Sequence, residues 1–404
     1  MREKPATHLQ TPLMHPLESR LFLNAGDLDT SFARRGMALL EGADGNTANI
    51  FVLKQPDGKF LSLAGPRPKF QYTTLTRYNP DGSRDHTFAT DGRTVFPQGK
   101  VPNGIYMAIQ PDGMILFATE DSRGASSLMR CTPNGKLDMS FGHKGVAAAG
   151  PDHIDGIAFS RQRIFITRYT TGFQVERYTM TGQLDPAFAG GIIKTNLAPD
   201  AQCYCQSVVA QKDGKVIVAG NAHDSFALVR YTWDGKLDSS FNSTGQVTTD
   251  FTPYSQAISR IFLQPDGKIL AVGRHDGGEG YTYCFARYLP NGQLDLAYGA
   301  AGKVITRVGG NQYMALQRDG KLVIAGGEST SYGASKDIVV ARYNADGSID
   351  TSFGKNGSTR TDFNGTIQEY PRGVFALKNG KVEVLVRSVT PKKGYLVVAR
   401  YLGK

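Results

Sequence analysis

Cysteine is scarce in this 404-residue chain. Its four thiols (Cys131, Cys203, Cys205, Cys284) are too few to staple a fold of this length. A disulfide framework is thereby excluded as the source of stability, and free thiols fit a reducing compartment. Tryptophan occurs once, at Trp233. No apolar run in the first 25 residues reaches the length of a signal core, and none later approaches a membrane span. A soluble, cytoplasmic protein is expected, with signal-independent export left open. Also missing are H-E-x-x-H, G-x-S-x-G, a Walker loop and a dinucleotide fingerprint. Cys203 and Cys205 lack the second ligand pair that zinc needs. The run His275-Asp276-Gly277-Gly278-Glu279-Gly280 lacks the ligand spacing of a calcium loop. No metal and no cofactor is expected.

Glycine, by contrast, is abundant at 47 residues, much of it in Asp-Gly and Asn-Gly pairs spread along the chain. Such pairs close tight hairpins, because these residues tolerate the left-handed backbone that short turns require. Many short strands and an all-β class are predicted. Length alone suggests two or three domains, but internal repetition replaces that estimate.

Three signatures recur in a fixed order. The first is an apolar stretch running through Q-P-D-G-K into a second apolar stretch, starting at Gln55, Gln110, Gln211, Gln264 and Gln317, with weaker copies at Lys378 and Ser160. The second is Arg-Tyr at the end of a hydrophobic run, at Arg77, Arg177, Arg230, Arg287, Arg342 and Arg400, with Arg130 followed by Cys131. The third is L-D-x-x-F or a close variant, starting at Leu28, Arg84, Leu137, Leu184, Leu237, Leu294 and Ile349. Each occurs seven times. The mean spacing of 53.5 residues is that of a propeller blade. Such a unit holds strand a before the first signature, strand b after it, strand c ending in Arg-Tyr, and strand d from the L-D-x-x-F segment. Strands b and c are nearly continuous apolar runs, as expected of strands covered on both faces by neighbouring blades.

A linear solenoid is the alternative, and the order of fragments argues against it. The first signature met is L-D-x-x-F, ahead of any strand a, and the last is Arg400-Tyr401, with no strand d after it. Seven complete units exist only if residues 26–36 supply strand d to the blade that ends at Arg400. Closure also removes open sheet edges. The prediction is an all-β, seven-bladed β-propeller of four-stranded blades over residues 26–404, closed by an N-terminal strand, after an extension of residues 1–25. A monomer is expected. The stretches QPDGKILAVG, FARYLPNGQLDLAYG and VARYNADGSIDTSFGKNG resemble the delta-60 repeat β-propellers of bacteria over roughly residues 26–404. That resemblance implies the fold and carries no activity or catalytic residues. The third blade departs most, with Ser160-Arg161-Gln162-Arg163 in place of the Asp-Gly turn.

Arginine and aspartate recur eight residues apart: Arg77 with Asp85, Arg130 with Asp138, Arg177 with Asp185, Arg230 with Asp238, Arg287 with Asp295 and Arg342 with Asp350. Across the closure Arg400 takes Asp29. A three-residue hairpin loop sets such residues opposite one another on one face, and sevenfold repetition points to blade packing. Trp233, in a tight c–d turn, is read as a packing or surface residue. The formal charge of +10 is unevenly spread. Residues 51–100 carry eight Lys and Arg against four Asp and Glu, residues 351–404 ten against three, and the remainder 28 against 29. Ring closure makes the two basic ends neighbours, so Arg67, Lys69, Arg387, Lys392 and Lys393 are predicted to form a basic patch, a candidate site for nucleic acid or another polyanion.

The a–b and c–d hairpins are uniform and share one face. The b–c loops, at 65–72, 119–126, 220–225, 273–283, 326–336 and 387–394, vary and lie on the other. Variable loops on a rigid scaffold are where recognition usually resides. His223 and Asp224, with Arg274, His275, Asp276, Glu279, Tyr281 and Tyr283 of the next blade, are candidate ligand-binding residues. The leading expectation is a non-enzymatic module for a protein or glycan partner. A hydrolase or lyase at the mouth of the central channel, and a polyanion binder, are the alternatives. Ionisable groups converging from different blades would favour the enzyme.

Overall fold

The alternation of short apolar runs with Gly-bearing turns builds hairpin after hairpin, and among the described residues every regular element is a strand. The computed structural model describes residues 24–43, 50–65, 73–96, 106–120, 125–197, 203–251, 255–276, 281–328, 337–363, 368–389 and 393–404. No helix there is long and apolar enough to cross a membrane. The first strand, β1 (Met37–Leu39), belongs to the last blade. Blade 1 is β2 (Ile50–Lys54), β3 (Phe60–Ala64), β4 (Thr73–Tyr78) and β5 (Arg93–Phe96). Blade 2 is β6 (Met107–Ile109), β7 (Ile115–Glu120), β8 (Ser126–Cys131) and β9 (Val146–Gly150), and blade 3 is β10 (Ile154–Ser160), β11 (Arg163–Arg168), β12 (Phe173–Thr179) and β13 (Ile192–Thr195). Blade 4 is β14 (Cys203–Ala210), β15 (Val216–Ala222), β16 (Ser225–Tyr231) and β17 (Gln246–Thr249). Blades 5 and 6 share one long strand. β18 (Gln256–Leu263), β19 (Ile269–Asp276) and β20 (Tyr281–Tyr288) lead into β21 (Lys303–Leu316), whose far half opens blade 6 with β22 (Leu322–Glu328), β23 (Ile338–Tyr343) and β24 (Ser358–Thr361). Blade 7 is β25 (Gln368–Ala376), β26 (Val382–Val389) and β27 (Gly394–Tyr401), completed by β1.

Seven antiparallel, four-stranded blades are therefore present, as the repeat predicts. The core is divided in the same way, into seven apolar clusters, one for each blade-to-blade interface. Leu61, Leu63, Leu75 and Phe88 of blade 1 meet Ile115, Phe117 and Cys131 of blade 2, for example. The same pattern runs round the ring to blades 6 and 7, where Val323, Val340 and Phe353 meet Val374, Val384 and Tyr401. A seventh cluster joins blade 7 to blade 1 through Leu385, Leu396, Val398, Phe60 and Tyr78. A strand with an apolar neighbour on each face has no polar side to show, hence the continuous runs in strands b and c. Strand a is innermost in every blade, and successive inner strands neighbour one another around the axis.

The closing segment lies differently from expectation. Residues 26–36 do not form the outer strand. Leu28 makes one bridge to Tyr401, Asp29 turns the chain, and the ladder proper is β1, with Met37 opposite Ala399 and Leu39 opposite Val397. The cause is local: the Asp29 carboxylate accepts hydrogen bonds from the backbone N–H and hydroxyl of Ser31, at 3.3 and 2.5 Å, folding D-x-S into a turn before the strand begins. The other blades behave alike, with Arg84, Leu137, Leu184, Leu237, Leu294 and Ile349 each making one bridge ahead of a turn. At the seam, where no c–d hairpin exists, the Gly26 N–H donates to Leu402 O and the Leu402 N–H to Asp27 O, both at 2.8 Å.

Phe32, Met37 and Leu40 are buried in this closure, and each contributes about 1.5–3 kcal/mol, against about 5–15 kcal/mol for the stability of an ordinary domain. Removal of residues 1–40 should lower the melting temperature by about 10 °C or more, or drive aggregation through the bared edge of β27. A truncated protein that melts with the full-length chain and stays monodisperse in light scattering contradicts this closure.

Candidate functional site

The repeated arginines organise the hairpin face. In six blades the guanidinium of the Arg-Tyr signature lies 2.6–2.9 Å from the aspartate of its own blade: Arg77–Asp85, Arg130–Asp138, Arg177–Asp185, Arg230–Asp238, Arg287–Asp295 and Arg342–Asp350. Each also sits over the aromatic ring that ends the D-x-x-F turn, 4.4–4.8 Å from the centroid of Phe88, Phe141, Phe188, Phe241, Tyr298 or Phe353. Its Nη1 then donates to a carbonyl in the next blade: Pro133, Met180, Trp233, Pro290, Ala345 or, at the end of the chain, Gly403. The hairpin must lie close for this. Gly135 has φ +85°, and a Cβ there would fall 2.4 Å from the Phe88 ring.

A third partner went unread in the sequence. The lysine closing Q-P-D-G-K reaches the same aspartate from strand b, in Lys59–Asp85, Lys215–Asp238, Lys268–Asp295, Lys321–Asp350 and Lys381–Asp29, with Arg163 doing so for Asp185, at 2.6–3.3 Å. Its signal was the final Lys of the motif, present in five of the seven blades. Blade 2 has Met114 there, and Arg130 is the only cation that pairs with Asp138 among the described residues.

The seventh pair is corrected. Arg400 does not take Asp29; its Nη2 lies 2.6 Å from Glu383, which also takes Lys54 of blade 1 at 2.6 Å, while Asp29 takes Lys381. In the other six blades the residue opposite the arginine on strand b is apolar: Leu61, Leu116, Phe165, Ile217, Leu270 or Val323. Only blade 7 has a carboxylate there, fully buried, and it intercepts the guanidinium.

The loop-face candidates separate. His223 and Asp224, at φ +49° and +59°, are the exposed tip of a two-residue hairpin, and Asp224 accepts from Ser255 Oγ at 2.8 Å. Arg274 is exposed, but His275 is buried. Tyr283, 1% exposed, gives its hydroxyl proton to Ala325 O at 2.9 Å and accepts from the Tyr313 N–H at 2.8 Å, so it ties blade 5 to blade 6 and is not available to a ligand. Glu279 lies outside the described residues, and Asp276 and Tyr281 are placed by their backbones alone, as the paired ends of β19 and β20. Of the predicted basic patch, Arg67, Lys69 and Lys392 lie outside the described residues, Arg387 stands over the Tyr370 ring at 5.5 Å, and Lys393 is exposed beside Tyr395. Trp233 packs under Arg177, 4.1 Å from the ring centroid.

Sequence reasoning passed over the inner strands. Their registers shift near the start, between Ile154 and Gly156, Cys205 and Ser207, Ile258 and Arg260, Gly309 and Tyr313, and Pro371 and Gly373. Bulges of this kind re-aim side chains. These lie toward the loop face, because strand a starts there. Asp155, Cys205, Arg260 and Tyr313 stand at these shifts in four successive blades, and Tyr106 of blade 2 directly precedes the unshifted β6. Tyr106 is raised by burial and by Asp155, against the opposing charge of Arg260. Burial pushes the Asp155 carboxyl up to about 7 and the Cys205 thiol to about 12, so Cys205 is no thiolate at neutral pH. At the rim Tyr169 of blade 3 and Tyr204 of blade 4 are stacked, centroids 4.7 Å apart and planes 2° from parallel, with Tyr169 42% exposed. The Tyr169 phenol is raised by burial, Tyr204 and Asp155, and lowered by Arg274.

The class defined is a seven-bladed β-propeller with a polar channel mouth. Residues 110–141, 211–241, 264–298 and 317–353 match the family model described as "Domain of unknown function (DUF5122) beta-propeller". Each match runs from the glutamine of the a–b hairpin to the aromatic residue of the D-x-x-F turn, in blades 2, 4, 5 and 6, which supports a β-propeller family of unknown function. No curated protein matches the chain. Among solved structures, the periplasmic gluconolactonase PpgL of Pseudomonas aeruginosa is 13% identical, with a TM-score of 0.48 over 78% of this chain and 85% of that one. YCF48 from Cyanidioschyzon merolae is 11% identical, with a TM-score of 0.49 over 90% and 98%. The β-propeller domain of the Trilobed protease from Pyrococcus furiosus is 9% identical, with a TM-score of 0.46 over 88% and 96%.

The missing lysine of blade 2 makes a contrast. Removing Arg130 strands Asp138, so Arg130→Met should destabilise by about 3–5 kcal/mol, whereas Arg230→Met leaves Asp238 its Lys215 and should cost clearly less. Equal losses in urea unfolding contradict the assignment of Lys215 to Asp238. Burial opposes ionisation of Asp238, but hydrogen bonds from Lys215 and Ser240 and the charge of Arg230 draw it down to about 2 from 3.8. The stabilisation is therefore complete above about pH 4 and lost as pH falls toward 2, and wild type and Arg230→Met should converge in stability over that interval.

Proposed function

We propose that this chain, a propeller of the delta-60 repeat kind, is a non-enzymatic binding module that holds a glycan at the loop-face mouth of its channel, across blades 3 to 5. The supporting observation is the Tyr169–Tyr204 stack, contributed by adjacent blades and open on the outer face of Tyr169. A sugar ring offers an apolar C–H face that seats on an aromatic plane, and hydroxyls that need donors and acceptors beside it. Arg274 and Asp155 both act electrostatically on Tyr169, with opposite sign, and are near enough to supply these.

One observation favours the hydrolase or lyase reading: a carboxyl titrating at about 7 is suited to proton transfer near neutral pH. Hydrolysis or elimination of a bound glycan, lost in Asp155→Asn with binding retained, distinguishes it from the binding module.

The test is a glycan array with the purified chain, followed by calorimetric titration of the best hit. Tyr169→Ala should weaken binding by tenfold or more at unchanged melting temperature, while Tyr169→Phe retains it. Binding indifferent to Tyr169→Ala, or an array without a hit, overturns the reading.

A further inference from the structure

Many arginines of this protein are ion-paired. Arg77, Arg130, Arg163, Arg168, Arg177, Arg230, Arg287, Arg342, Arg360 and Arg400 each have a carboxylate partner. Arg260 is different. It follows the bulge of β18, opposite Val272, and its guanidinium has only the Phe262 ring, 5.6 Å from the centroid, with no carboxylate in ion-pair range among the described residues. Arg260 is exposed to solvent, yet loss of hydration depresses its pKa, with the Tyr106 phenol opposing the shift. A group enclosed by protein and still wet occupies a water-filled channel. Such a cation, desolvated and unpaired, is destabilising unless something of opposite charge is brought to it.

We propose that Arg260, with the Tyr106 phenol in electrostatic reach, is an anion-binding site inside the channel that takes the carboxylate or phosphate group of a ligand entering from the loop face. The fork of a guanidinium matches both groups through paired N–H donors, and the tyrosine hydroxyl adds a neutral donor. Asp155 does not neutralise Arg260: no ion pair joins them, and burial favours the protonated carboxyl, which donates a hydrogen bond to the anion instead of repelling it. A second guanidinium lies on the matching bulge of blade 7, where the buried Arg372 Nε has no hydrogen-bond partner. The inner strands thus direct positive charge into the channel while the clamp neutralises it elsewhere. This deepens the binding reading by naming the charge of the ligand, but stands on different residues.

Two probes separate the ligand sources. The full-length chain is titrated calorimetrically with inorganic phosphate and, in parallel, with glucuronate. Binding of one or both is expected, weakened tenfold or more by Arg260→Gln and partly retained by Arg260→Lys. The melting temperature of Arg260→Gln should equal or exceed that of wild type, because an unpaired enclosed cation has been removed. Tyr169→Ala should weaken glucuronate and leave phosphate unaffected. Phosphate binding that depends on Arg260 while no glycan binds preserves this site and rejects the glycan reading. Glycan binding that depends on Tyr169 but not on Arg260 does the reverse. Wild type binding neither probe at about 10 mM, or binding undiminished in Arg260→Gln, overturns the proposal.

Discussion

One guanidinium in each of six blades does the joining on which the ring depends. Hydrophobic clusters hold sheet to sheet, but they are non-directional and would tolerate a slip of one blade on the next. The arginine at the end of strand c removes that freedom, because its three partners lie on three different pieces of chain. The aspartate fixes its own c–d hairpin, the aromatic ring fixes the turn before strand d, and the carbonyl fixes the following blade. An exposed pair of this sort would add little. Here the aspartates are buried, and the lysine of strand b meets their remaining charge.

The seam obeys a different rule for a physical reason. Six clamps operate where a hairpin links strand c to its turn covalently, and there the residue across from the arginine is apolar. At blade 7 the turn arrives from the far end of the chain, held by Gly26 and Leu402 backbone bonds. Glu383 replaces the apolar residue, draws in Arg400 from its own blade and Lys54 from blade 1, and leaves Asp29 to Lys381. A buried carboxylate with two cations from two blades is costly to strand and specific to pair, so the bond between the last blade and the first is made where covalent continuity is missing.

Much of this was legible before any coordinates, because repetition separates scaffold from variation. The order of the three signatures carried blade number, strand content and closure, and the Arg–Asp spacing carried six of the seven pairs. The misplacement of strand d had a local cause: L-D-x-x-F alternates like a strand, while its Asp-x-Ser bonds make a turn. Arg400 was assigned by analogy although V-E-V-L-V at residues 382–386 sets a glutamate where the other blades are apolar, a readable departure. Tyr283 and His275 looked like loop residues, but β19 and β20 run on past the expected loop edge and bury them. The channel groups were illegible for a deeper reason. A bulge breaks the two-residue period from which facing is inferred, so Asp155 and Arg260 carried no mark of their position.

The channel is also where the chain departs from its own economy. In the clamps each aspartate has a cationic partner and is held ionised. At the bulges a carboxyl is pushed up to about 7 by burial, and a guanidinium is enclosed without a counter-ion among the described residues. A raised carboxyl contributes fully only below its unfolded value near 4, and that contribution is lost as pH climbs toward 7; at neutral pH Asp155 therefore weakens the fold. Six interfaces clamped in the same way, and a seventh joined through Glu383, supply stability enough to carry such groups. Irregularity repeated at the start of five inner strands, on a scaffold built by repetition, is the physical form expected of a site added to a fold rather than of the fold itself.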